Sequence, residues 1–251
     1  MAVELSYCVV TTGQRQVLGY CLDAIARESA TVDFETETLV LDNASRDGSE
    51  EAARAHPATA DVIALPRPRP AGENASVLLR HARGSFCLLL DEASELEPGA
   101  TAALHDALAA DERAGAAGAT LVQPGGDQEP SAYRFPKAVA SVLPRRYEVQ
   151  SRGAAVREVD WARSAALLVR REAATAVGGF EPDEIEFGRR LRDAGWRVLY
   201  VPVARAVGHQ GPTGAADLAA ARGHYLRRHG SAAGAAFARS MDRVRALIPR
   251  R

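Results

Sequence analysis

A chain of 251 residues with a formal net charge of −1 has the size for one enzyme-scale α/β core and lacks the basic surplus that nucleic-acid binding demands. Lys137 is the only lysine, so the positive charge is almost entirely arginine. Cys8, Cys21 and Cys87 are odd in number and lie in apolar runs, which excludes a disulfide scaffold and predicts buried free thiols in a reducing compartment. No window approaches the roughly 18 apolar residues of a membrane span, and Met1 to Gly13 has no basic stretch ahead of its short apolar run. A cytoplasmic protein is expected, in contact with a membrane at most peripherally.

The first half alternates strand and helix. An apolar run from Leu5 to Thr12 predicts a strand, and Val17, Leu18, Cys21, Leu22 and Ile25 share one face of the helix that follows. Thr38 to Leu41 returns as a strand ending in Asp42, which completes a βαβ unit. Asp47 or Ser49 is placed to cap the next helix, with Glu50 and Glu51 in its first turn where the helix dipole favours anions. Asp61 to Leu65 predicts a short strand and Glu73 to Arg83 a helix. Gly84 then leads into Phe86 to Leu90, an unbroken apolar strand of the doubly covered type that ends in Asp91. Ligands of open α/β sheets bind beyond the carboxyl ends of the strands, so Asp42 and Asp91 are expected to share a cleft.

A helix is predicted from Pro98 to Asp111 and a strand from Ala119 to Val122. Gln123 to Glu158, rich in Pro, Gly and Arg, reads as a long loop with some helix that covers a site, or as a disordered insertion. Ala165 to Val169 is a predicted strand, and Arg171 to Val177 a helix stopped by Gly178 and Gly179. Asp183, Glu184 and Glu186 then crowd the reversal before a helix over Glu184 to Ala194, which places carboxylates at the rim of a core, where sites are built. A strand from Arg197 to Val201 is closed by Pro202. The tail from Ala215 to Arg251 is helical in composition and rich in arginine. This divides the chain into a domain over 1–213 and a basic helical extension over 214–251, expected to pack on it, with a partner or an anionic lipid surface as alternatives.

The ordered blocks YCVVTTGQRQVLGYCLDAI, TLVLDNASRDGS, LLRHARGSFCLLLDEASELEPGA and WARSAALLVRREAATAVGGF, followed by RRLRDAGWRVLYVP, resemble family 2 glycosyltransferases, particularly their rhamnosyltransferase-like branch. The resemblance covers residues 5 to 211 and implies the GT-A fold, a Rossmann-like, mixed but mostly parallel sheet flanked by helices. It implies an inverting transfer of sugar from a nucleotide-diphosphate donor to an acceptor hydroxyl, in cell-surface glycan or secondary-metabolite glycosylation. By the same resemblance Thr11, Thr12, Gly13, Asp42 and Asp91 bind the nucleotide, and Asp91, Glu92 and His209 hold Mg2+ or Mn2+. Glu184 becomes the general base with Asp183 in reserve, and Trp161 and Glu186 become candidates for acceptor binding.

Several positions depart from the family pattern. Relatives commonly read Asn-Pro-Asp-Thr where this chain reads Asp91-Glu92-Ala93-Ser94, so the usual metal-binding Asp is replaced by Ala93. The acidic pattern Glu-Asp-x-Asp becomes Asp183-Glu184-Ile185-Glu186, which keeps the charge and changes each side chain's length. Ahead of the buried strand, Asn74, Ala75 and Ser76 stand where Ala-Arg-Asn is frequent, with Leu78 at a Gly position. A second reading therefore stays open, a GT-A protein that has lost transfer and binds nucleotide sugars or serves an assembly. A nucleotidyltransferase shares the sheet, but the chain lacks its N-terminal Gly-rich Arg-Lys signature.

Overall fold

The computed structural model describes residues 2–136, 148–149, 153–209 and 215–229, with the backbone alone over 215–220. In chain order the elements are β1 (Leu5–Thr11), α1 (Arg15–Ser29), β2 (Thr36–Asp42), α2 (Ser49–Ala55), β3 (Asp61–Ala64), α3 (Ala71–His81), β4 (Phe86–Asp91) and β5 (Ser94–Leu96). They continue with α4 (Ala100–Ala109), β6 (Ala114–Val122), β7 (Gln128–Glu129), β8 (Ala132–Tyr133), β9 (Arg157–Val159), β10 (Trp161–Ala162) and β11 (Ala166–Arg170). The last are α5 (Arg171–Ala176), α6 (Glu184–Asp193), β12 (Arg197–Gly208) and α7 (Ala215–His229).

The main sheet runs β3-β2-β1-β4-β11-β6-β12-β5, with β7 added to β6 and β9 to β12. β3, β2, β1 and β4 are mutually parallel, while β11 is antiparallel to β4 and β6 on either side of it. Alternation along β1 explains the layering. Val9 faces a core with Leu18, Leu22 and Ile25 of α1 and Leu104 of α4. Cys8 faces the opposite core with Leu78 of α3 and with Phe187 and Leu191 of α6. A sheet buried on both faces needs continuous apolar strands, as seen in the FCLLL run of β4. The three cysteines are buried and free, as expected. Among the described residues no helix is long and apolar enough to cross a membrane.

Three expectations change. β12 does not stop at Pro202 but continues to Gly208, and its register against β6 shifts between Val201 and Arg205. Proline removes a ladder donor, so the strand bulges there and resumes. Its distal half pairs with β5, a three-residue strand with no pattern of its own to announce it. β6 begins at Ala114 and not at Ala119, because its AGAAG start has little intrinsic strand preference and is placed by packing. A Cβ on Gly118 would lie 2.5 Å from the Ala162 Cβ, so the small residue lets β10 sit directly on the sheet. In Gln123 to Glu158 the described residues form β7, β8 and β9, and the predicted helix lies outside them, as does the tail beyond 229.

Candidate active site

Register places the first half of the site. Thr11 pairs with Asp42 and Val10 with Asp91, so three strands end level at one edge of the sheet. Beyond that edge lies a cavity of about 890 Å3 whose lining includes Thr12 and Gln14 after β1, Asn43 after β2, and Asp91 and Glu92 at the end of β4. Asp42 stands beside this cavity and not on its lining. Its carboxylate accepts from the Ser45 backbone N–H (3.1 Å) and from the Ser45 hydroxyl, which closes the turn after β2.

Asp91 and Glu92, adjacent in sequence, do different work. Glu92 is 4% exposed, and its carboxylate accepts from Thr12 N (3.0 Å), Thr12 Oγ1 (2.7 Å), Gln14 N (3.2 Å) and the Thr11 hydroxyl. It thereby holds the β1–α1 loop in shape, and these bonds satisfy a charge that would otherwise be costly to bury. Asp91 has no side-chain hydrogen bond among the described residues. Burial pushes its carboxyl up to about 6, with Glu184 and Glu92 adding to the rise and Arg163 opposing it.

The second half of the site comes from α6. Asp183 is its N-cap, accepting from Ile185 N (3.0 Å) and Glu186 N (2.9 Å), and burial raises its carboxyl above the usual range. Glu184 accepts from Ser164 Oγ at 2.9 Å and Ser164 N at 3.3 Å, with Arg163 Nε 4.0 Å away. Both acids line the cavity, as do Arg163 and Ser164. The start of α6 is held against α3 through Pro182 at the edge of this cavity. A Cβ on Gly72 of α3 would lie 2.5 Å from the Pro182 carbonyl oxygen, so the loop carrying the acids depends on glycine at that point.

The remaining expected site residues are elsewhere. Trp161 is 1% exposed and stacks on Tyr133 with ring centroids 4.1 Å apart, inside a small aromatic core. Glu186 is buried and meets His229 Nε2 at 3.0 Å. His209 Nε2 lies 2.7 Å from Glu95, so its ring is tied to that acid beside the sheet. The expected metal set is therefore not assembled: Glu92 and His209 are engaged, and no group of three or more His, Cys, Asp or Glu among the described residues is arranged around a metal position. Asp91 is the member that still fits a cation, since its carboxylate lacks a hydrogen bond among the described residues and is held protonated above its usual range mainly by burial, with Glu184 and Glu92 adding to the rise.

Sequence reasoning missed several lining residues, namely Arg163, Asn43, Arg69, His224 and Arg227. Arg163 sits inside the specific WARS block and could have been found there. Asn43 grips the Arg69 backbone, accepting from its N–H at 2.8 Å and donating to its carbonyl at 3.1 Å, across 26 residues that carry no spacing signal.

Comparison with known proteins agrees with this geometry. The chain is 28% identical to the N-acetylglucosaminyl-diphospho-decaprenol L-rhamnosyltransferase of Mycobacterium tuberculosis, over 74% of this chain and 70% of that protein. Its structure resembles that of GalNAc-T7 with UDP, GalNAc and Mn2+ (TM-score 0.66, 14% identity), covering 83% of this chain and 44% of the other. It also resembles the mannosyltransferase PcManGT of Pyrobaculum calidifontis in complex with GDP-Man and Mn2+ (TM-score 0.63, 17% identity), covering 100% of this chain and 77% of the other. These likenesses establish the GT-A fold. The sequence pattern described as glycosyltransferase like family 2 matches residues 4–230, and the chain belongs to that family.

Proposed function

We propose that the protein transfers a sugar from a nucleotide-diphosphate donor to an acceptor hydroxyl with inversion, in the assembly of a cell-surface glycan or the glycosylation of a secondary metabolite. The observation that carries this reading is the gathering of Asp91, Arg163, Asp183 and Glu184 on one cavity at the carboxyl edge of β1 and β4. The nucleotide lies along the Thr11–Gly13 loop and the β2 end, with Asp42 as its base-side carboxylate. Glu184 takes the acceptor hydroxyl proton. The freed oxygen bonds to the anomeric carbon from the face opposite the leaving group, and the bond to the diphosphate oxygen breaks with its electron pair.

Glu184 suits the role better than Asp183 because Asp183 is committed to capping the backbone amides of α6, whereas Glu184 is held by the side and main chain of Ser164 with Arg163 Nε 4.0 Å away. A general base of this kind is worth about 10² to 10⁴ in rate. Asp91 would hold a Mg2+ or Mn2+ arriving with the diphosphate, and the ion would neutralise charge on the leaving group. The engaged state of Glu92 and His209 favours a second reading, a GT-A protein that binds nucleotide sugars without transfer.

Release of nucleoside diphosphate from a panel of UDP-, GDP- and dTDP-sugars, with and without Mn2+, tests both. In the first reading one donor turns over, and Glu184→Gln lowers turnover at least about a hundredfold with donor affinity intact. Donor binding without release for any sugar selects the second.

A further inference from the structure

α7 is more than an appended helix. Ala221, His224 and Arg227 line the cavity, and their spacing of three puts them on one helical face. A different face docks α7: Tyr225 stacks on Phe135 with centroids 5.3 Å apart, Leu226 is 2% exposed, and His229 meets Glu186. The cavity face brings one guanidinium and one imidazole and no carboxylate. Among the described residues Arg227 has no hydrogen bond or ion pair, and His224 Nε2 is buried without a hydrogen-bond partner. A buried ring nitrogen in that state is costly in the free protein and gains when a ligand supplies the partner.

The opposite sign lies on the strand and α6 side, where Asp91, Asp183 and Glu184 line the same space. A site that handles a diphosphate must neutralise it, and the described residues assemble no three-ligand cluster for a metal. We propose that the His224–Arg227 face of α7 is a diphosphate-binding wall of this site, so that the C-terminal helix completes it. The inference rests on the transfer reading above. The diphosphate is either that of the nucleotide donor or one carried by the acceptor; the chemistry of recognition is the same, a planar guanidinium forking onto phosphate oxygens.

The test is calorimetric, on the full chain in EDTA, with UDP, GDP and dTDP, the matching nucleosides, and inorganic pyrophosphate. Arg227→Gln should weaken diphosphate binding about tenfold or more, as loss of a charge-assisted hydrogen bond does, and leave nucleoside binding unchanged. Arg227 is exposed, so the variant should melt with the wild type; Arg228→Gln, an exposed neighbour off the cavity lining, controls for net charge and should change nothing. His224→Gln should weaken the same ligands. Pyrophosphate displaced by nucleoside diphosphate identifies the donor as its source, and pyrophosphate bound beside it identifies the acceptor. Wild-type affinity in Arg227→Gln, or equal losses in Arg228→Gln, overturns the wall and leaves the transferase reading intact. A wild-type protein that binds none of these diphosphates in EDTA overturns the wall, and one that binds none with Mn2+ added as well overturns the transfer reading too.

Discussion

Replacing Asp91 by Asn should stabilise the ligand-free protein, and the pH dependence of that gain identifies its cause. Burial lifts the Asp91 carboxyl from 3.8 to about 6. The folded chain therefore holds this proton more tightly than the unfolded chain does. The stability it contributes is present below the unfolded value and is lost as pH rises through about 6. Above that point the ionised carboxylate carries a penalty of about 3 kcal/mol, at about 1.4 kcal/mol for each pH unit between the two values. An amide of the same shape escapes it. With about 2–4 °C of Tm per kcal/mol in a chain of this size, the Asn variant should melt about 6–12 °C higher near pH 8, and by roughly half as much near pH 5. Thermal melts followed by circular dichroism in EDTA measure both. The same variant should lose any tightening of nucleoside diphosphate binding by Mn2+, the usual exchange of stability for function at a site. An Asn variant that melts at or below the wild type near pH 8, or whose advantage does not shrink on acidification, refutes the argument that this carboxylate is held unpaired against the cavity.

Glu92→Gln replaces an anion that receives two backbone and two hydroxyl donors with an amide that presents its own N–H groups to some of them. The Thr12 and Gln14 amides should lose hydrogen-exchange protection by about tenfold or more, with the donor KM rising more than turnover falls; unchanged protection would show that the loop is held by other means. Gly72→Ala drives a methyl against the Pro182 carbonyl and should cost about 1–3 kcal/mol in urea unfolding. Turnover should fall with it, since Asp183 and Glu184 follow on the same loop, and a variant with wild-type stability and rate would show that the contact yields freely. Asp42→Ala should weaken nucleoside binding in calorimetry, and equal affinity in variant and wild type would restrict Asp42 to closing its turn with Ser45.

Sequence alone determined the elements whose signal is local. The five-residue apolar run of β4, the 3.6-residue spacing of Leu18, Cys21, Leu22 and Ile25, and the double glycine after α5 each encode burial or termination within a short stretch, and the structure follows them. The family resemblance likewise rests on contiguous blocks, and Glu184 and Asp91 could be named from them.

Tertiary structure decided what depends on long-range contact. β5 is defined only by pairing with the distal half of β12, which also rejoins β6, and the early residues of β6 are strand because β11 and β12 pair with them. Which carboxylates are available was also invisible in the chain: Glu92 is taken up by a loop some 80 residues away, Glu186 by His229, and His209 by Glu95. The sequence shows that an ionisable group is present near a strand end or helix start. Whether that group is free depends on which donors the fold brings within 3 Å of it, and those donors come from elements whose spacing along the chain carries no pattern.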